Sequence, residues 1–412
     1  MEPSPHDISR REFVTSGAGA GALALASSQG VTIPTSLGSS DPLGVRRDFP
    51  AASTSVYLNS AYITPSPVQV AEAGQAFMRR KAEDPIPLDE MLAKTDEVRG
   101  QFARLINASS DEIGFLFATS EGENIVAGAL QLKEGDNVVV DELHYDTTFV
   151  LYRHLATSRG VELRIARHRD GRVDASDYAP LVDRRTRIVS VSWVSHQNGF
   201  RHEMRPLADL AHAHGAFLYC DAIQAVGMIP VDVQAAGVDG LAAGCYKWML
   251  GGFGPAPFYL RREWADRIAL DRYGALHVAK SLPNHEFELY TTAKRFDYAT
   301  LPFAEVYQLG AGLRYLERVG VARIEAHTTA LAAALRRGLV ERGFEVFTPE
   351  GNRSSIVACA NPKGRDVAKP ILDAAKVRVS LREGGTQIRI SPALFNTEAD
   401  VARYLEVAER LK

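Results

Sequence analysis

The chain has 412 residues, enough for two cores, and its 46% hydrophobic and 24% charged residues are those of an ordinary globular protein. A net charge of -3 gives no basic footprint for nucleic acid and no polybasic membrane surface, so the expected partner is a small molecule. Cys220, Cys245 and Cys359, three scattered cysteines without CxxC spacing, exclude a disulfide framework, and no metal site is expected.

At the N-terminus, Ser9-Arg10-Arg11-Glu12-Phe13-Val14 precedes an uncharged Gly/Ala-rich run ending in Ala24-Leu25-Ala26. A charged pair, a modestly apolar run and a small-x-small end make a signal peptide over residues 1–26. The arginine pair followed by phenylalanine resembles a twin-arginine signal, so a periplasmic or secreted protein is expected, cytoplasmic if that reading fails. Within it, Gly17-Ala18-Gly19-Ala20-Gly21-Ala22 fits a dinucleotide-binding pattern but lacks the strand that must precede one, and is discarded. Residues 27–55, rich in Ser, Pro, Gly and Thr, read as a linker or extended arm.

Beyond residue 40 no run reaches the roughly 20 apolar residues of a membrane span. From Glu72 helical patterns alternate with short apolar runs: Ile113–Phe117, Val138–Val140, Ile188–Val191 and Ala216–Tyr219. Such runs, bounded by polar or glycine-containing turns, are buried parallel strands joined by helices. This α/β unit is assigned residues 56–301. A helical pattern from Phe303 to about Arg342 opens a smaller α+β unit, residues 302–412. Its further elements are strands near Glu345–Phe347 and Ser355–Cys359, a helix near Val367–Ala375, a strand pair at Val377–Leu381 and Gln387–Ser391, and a helix from Glu398.

The chemistry concentrates between Ala216 and Tyr259. An apolar strand ends in Asp221, with Gln224 just beyond, at the edge where open α/β sheets bind ligands. Further on, Gly244-Cys245-Tyr246 leads into Lys247-Trp248 and a cluster of glycines. A lysine set between aromatic and small residues is desolvated, which lowers its pKa and frees the amine to attack an aldehyde. Asp221 is suited to keep a pyridine nitrogen protonated, so that the ring accepts electrons. Thr119-Ser120 opens a helix after a strand, where N–H groups and hydroxyls hold a phosphate.

Asp221-Ala222-Ile223-Gln224 followed by Tyr246-Lys247-Trp248 resembles the class V aminotransferase family of fold-type I pyridoxal-phosphate enzymes. The resemblance covers most of the chain from about Tyr57. It implies a large domain with a mostly parallel sheet flanked by helices, a smaller C-terminal α+β domain, and pyridoxal 5'-phosphate held by Lys247 as a Schiff base. It makes Thr119 and Ser120 phosphate ligands, assigns Asp221, Gln224 and Tyr246 to the cofactor, and lays His144 on the pyridine face with Tyr145 in reserve. The segment ending Tyr298-Ala299-Thr300-Leu301-Pro302 resembles one whose threonine reaches the neighbouring subunit's phosphate, which gives Thr300 that role in a homodimer. Gln387-Ile388-Arg389-Ile390-Ser391 resembles the segment that binds the substrate carboxylate, a task suited to the fixed fork of Arg389. Tyr62, in Asn59-Ser60-Ala61-Tyr62, lines the substrate mouth.

Family desulfurases carry a nucleophilic cysteine shortly before that arginine, where this chain reads Leu381-Arg382-Glu383-Gly384-Gly385-Thr386. Persulfide-forming chemistry is therefore expected to be absent, and Cys220 and Cys245 to be packing residues. Val194–Gly199, which contains Ser195 and His196, receives no role. The expected reaction is C–S or C–C bond cleavage on an amino acid or derivative, with epimerisation and transamination as alternatives. A binding scaffold without turnover is disfavoured by Arg389, and a nicotinamide dehydrogenase by the missing glycine fingerprint.

Overall fold

A computed structural model describes residues 41–412. The signal-peptide reading of residues 1–26 and the first part of the arm lie outside the described residues. The rest of the arm is packed rather than free. Phe49 is buried against Phe395 and Tyr315, and Arg46 forms an ion pair with Asp400 at 2.6 Å. No described helix is long and apolar enough to cross a membrane.

The main sheet has seven strands: β1 (Ile113–Leu116), β2 (Asn137–Asp141), β3 (Glu162–Ala166), β4 (Thr186–Ser192), β5 (Phe217–Asp221), β6 (Gly240–Ala242) and β7 (Ala256–Leu260). Their order is β1-β7-β6-β5-β4-β2-β3, and only β7 runs antiparallel to its neighbours. Alternate residues enter opposite cores: Leu218 and Cys220 pack on one face of β5, Phe217 and Tyr219 on the other. Burial on both faces explains the unbroken apolar runs in the sequence. The edge strand β3 carries no such run, because its outer residues are half exposed and its sequence, Glu162-Leu163-Arg164-Ile165-Ala166, is half polar.

Helices α1 (Val68–Glu83), α2 (Leu88–Leu105), α3 (Thr119–Ala129), α4 (Asp146–Arg159) and α5 (Met204–Ala213) connect or cover these strands. The expected helix from Phe303 is two, α6 (Phe303–Val319) and α7 (Val321–Glu341), divided at Gly320, whose φ of 87° breaks the helical path. The C-terminal elements are β8 (Val357–Ala360), α8 (Gly364–Ala374), β9 (Ser380–Arg382), β10 (Gln387–Ile390) and α9 (Glu398–Ala408). Strands β8, β10 and β9 form an antiparallel sheet in that order. Two expectations are corrected here. Glu345–Phe347 makes only an isolated bridge from Val346 to Cys359. Val377–Leu381 splits, with Val377–Arg378 pairing Val56–Tyr57 instead of joining this sheet.

The segment carrying Thr300 is anchored by a buried charge. Asp297 pairs with Arg99 at 2.6 Å and accepts from the Phe115 N–H at 2.6 Å. Asp297→Ala removes the buried partner of Arg99 and leaves it only the exposed Asp96 at 3.2 Å, and the expected loss is about 3 kcal/mol. Urea unfolding checks this; a loss under about 1 kcal/mol would show that water or another acid replaces the pair.

Candidate active site

The strands β2, β4, β5 and β6 are parallel, so Asp141, Ser192, Asp221 and Ala242 all end at one edge. The candidate site is built on that edge. Asp221 is the last residue of β5, and its Oδ1 accepts from Ile223 N at 3.0 Å. Burial raises its pKa, while His144, the Ile223 N–H and Lys247 pull the other way.

Lys247 follows β6 in a turn closed by Leu250 N donating to the Lys247 carbonyl at 2.9 Å. Leu250 takes a positive φ of 67° there, which brings the glycine-rich return strand back under the lysine. The side chain is 9% exposed, and its Nζ lies 5.7 Å from the Tyr246 ring. Burial lowers its pKa to about 7; Arg389 and Arg382 deepen the fall and Asp221 opposes it. The amine is therefore substantially neutral at physiological pH.

Thr119 and Ser120 open α3, whose N-cap, Ala118, supplies no side-chain hydrogen bond. The N–H groups of Thr119 and Ser120 are thus available to an anion, while that of Glu121 donates to the Ala118 carbonyl at 3.1 Å. Thr119 Oγ1 accepts from Gly244 N at 2.8 Å, tying this helix end to the turn that carries Lys247. A Cβ at Gly244 would lie 3.1 Å from Thr119 Oγ1 and Tyr246 Cε1, so a larger residue would crowd the approach. An uncapped helix end, an unpaired amine and a strand-end carboxylate match the three polar ends of pyridoxal phosphate. The residues fit that group.

Gln224 is 2% exposed and largely committed to the fold: Nε2 donates to the Ala61 carbonyl at 2.9 Å, and Oε1 accepts from Trp248 Nε1 at 2.8 Å. It holds the arm carrying Tyr62 against the residue after Lys247. Tyr62 is 44% exposed. Tyr246 stacks on Phe253 with ring centroids 4.7 Å apart, and burial, with Tyr145, Asp221 and Tyr62 nearby, pushes its pKa up to about 12. Its hydroxyl remains protonated and able to donate.

His144, expected on the pyridine face, is buried in the protein interior. It has no exposed surface; Nε2 meets Ser190 Oγ at 3.1 Å and Nδ1 accepts from Tyr145 N at 2.7 Å. The next side chain, Tyr145, is only half-buried and stands edge-on to His196 at 5.0 Å. A one-residue shift at the strand end decides which ring faces the site. Thr300 is exposed.

Arg389 on β10 is 2% exposed and donates to the His196 carbonyl at 2.7 Å and to Ser380 Oγ at 3.3 Å. Burial and then Arg382 lower its pKa to about 9, so it stays charged at neutral pH. His196, which the sequence left without a role, is buried beside it with neither ring nitrogen partnered. Burial, then Arg382, Arg389, Lys247 and His144, hold its pKa well below the usual value. It follows β4 at the same edge as Asp221, which is the signal that could have identified it. Cys220 and Cys245 are fully buried.

The family model for class-V aminotransferases matches residues 56–404. A probable cysteine desulfurase of Methanothermobacter thermautotrophicus is 30% identical, over 89% of this chain and 97% of that protein. A cysteine desulfurase of Klebsiella pneumoniae is 31% identical, again over 89% and 97%. The apo structure of a cysteine desulfurase from Thermococcus onnurineus superimposes with a TM-score of 0.82 at 27% identity, over 90% of this chain and 98% of that one.

These relatives overturn the exclusion of persulfide-forming chemistry. The exclusion rested on one short loop without cysteine, whereas the similarity to proteins named cysteine desulfurase runs almost the full length of the chain. The chain belongs to the class V aminotransferase family, with the fold-type I architecture and pyridoxal phosphate as its cofactor.

Proposed function

We propose that this enzyme cleaves a C–S bond in an amino acid or amino-acid derivative. The observation that carries the reading is Lys247, a desolvated amine whose charge both Asp221 and Arg389 bear on. The names of the desulfurase relatives support the choice of C–S over C–C cleavage. When bound, the cofactor supplies an electron sink for the pair left on the substrate Cα.

The residues divide the remaining work. Lys247 Nζ would hold the cofactor aldehyde, and the same amine is the group placed to take the substrate Cα proton; a pKa lowered to about 7 leaves it available as a base. Asp221 would stabilise a protonated ring nitrogen, Thr119, Ser120 and the first turn of α3 would hold the phosphate, Tyr145 would cover the ring, and Arg389 would fix the α-carboxylate. Trp248 and Met249, almost wholly buried, keep water from the lysine side.

The loaded enzyme is to be incubated with L-cysteine, L-cystine and L-cysteine sulfinate, assaying released sulfur species, alanine and pyruvate. Sulfur release with either carbon product is expected. Racemisation or amino transfer with every carbon–sulfur bond intact would overturn the reading.

A further inference from the structure

One charged side chain at the site has no task in this scheme. Side chains two apart on a strand share a face, so Ser380 and Arg382 lie together on β9, and Ser380 is the register partner of Arg389 on β10. Arg382 is thus the diagonal neighbour of Arg389 on the same face, a spacing of about 7–8 Å. Two guanidinium groups so close repel each other, and partly buried charge needs a partner to offset its desolvation.

Among the described residues no carboxylate supplies that partner. The Nε of Arg382 and the Nε of Arg389 are both buried without a hydrogen-bond acceptor. Among the described residues neither arginine has a carboxylate at ion-pair distance; Glu383, next in the chain, is exposed. His196 lies against both, and its lowered pKa keeps it neutral. Asp221 bears on Lys247 and is the carboxylate that would hold the cofactor ring nitrogen, so it is not free to offset the arginines.

A substrate with a single α-carboxylate neutralises one guanidinium and leaves the other bare. Resting on the proposed function of the site, we propose that the substrate is an amino acid whose side chain ends in a carboxylate or sulfonate, received by Arg382 while Arg389 receives the α-carboxylate. A hydrogen-bonded charge pair of this kind gives a discrimination of about tenfold or more against an uncharged side chain.

The test uses the pyridoxal-phosphate-loaded protein and follows the cofactor absorbance during titration with L-aspartate against L-asparagine, L-glutamate against L-glutamine, and L-cysteate. At least one acid is expected to bind about tenfold or more tightly than its amide, with cysteate separating a sulfonate from a carboxylate preference. Arg382→Gln is expected to bring the acid down to the affinity of its amide, and Arg382→Lys to retain part of the preference. Arg389→Gln weakens acid and amide alike. A loaded enzyme indifferent to side-chain charge, or a preference that survives Arg382→Gln, overturns this proposal alone. A chain that takes up no cofactor overturns the proposed function, and this inference with it.

Discussion

Lys247→Met is expected to lower turnover by about 10³-fold or more, because it removes both the amine that holds the cofactor and the base that moves the Cα proton. Methionine matches the length of the lysine stem, so the packing under Trp248 is retained. The same change should stabilise the cofactor-free protein. Lys247 titrates at about 7 in the fold and near 10.4 when unfolded, so burying the charged amine penalises folding. The penalty is complete below about pH 7, shrinks as the pH rises from there, and vanishes above about 10.4. At roughly 1.4 kcal/mol per pKa unit it amounts to a few kcal/mol at pH 6. Urea unfolding of the two apo proteins should therefore show the variant more stable at pH 6 and the two converging toward pH 10. Capture of the cofactor by the wild-type amine should accelerate as the pH rises through about 7. A variant that keeps activity within tenfold would remove Lys247 from the chemistry.

Asp221→Asn is expected to lower turnover by about 10²–10³-fold while leaving cofactor capture intact. The amide keeps the outline of the carboxylate, and its oxygen can still accept from Ile223 N, the hydrogen bond that orients the native side chain. What disappears is the negative charge opposite the ring nitrogen, in surroundings where water cannot replace it. The separation between normal capture and lost turnover is the signature to measure. A drop of less than about threefold would mean that the nitrogen needs no carboxylate, and the role of Asp221 would pass to the fold.

The parts of the site that could be read from the sequence are those written in one stretch of chain. A buried parallel strand announces itself by composition, its end marks the ligand edge, and Asp221 stands there, with Lys247 in the turn after the next strand. The parts that escaped are set by tertiary placement. Whether His144 or Tyr145 faces the pocket depends on a rotation of one residue at the end of β2, which an apolar run does not encode. Arg382 joins the site only because β9 and β10 pair in a register that puts it diagonal to Arg389. His196 reaches both through a loop whose sequence carries no periodicity. The fold was legible in the same measure: buried strands stood out, whereas the half-exposed β3 and the break at Gly320 did not. The loop at Leu381–Thr386 is too small a feature to decide reaction type, since one local absence cannot outweigh similarity along the whole chain.

Borohydride reduction of the loaded protein, followed by peptide mass mapping, is the shortest route to the central claim. The account predicts one pyridoxyl group per chain, on the peptide containing Lys247. A tag on another lysine, or a reduced protein with no added mass, would contradict it.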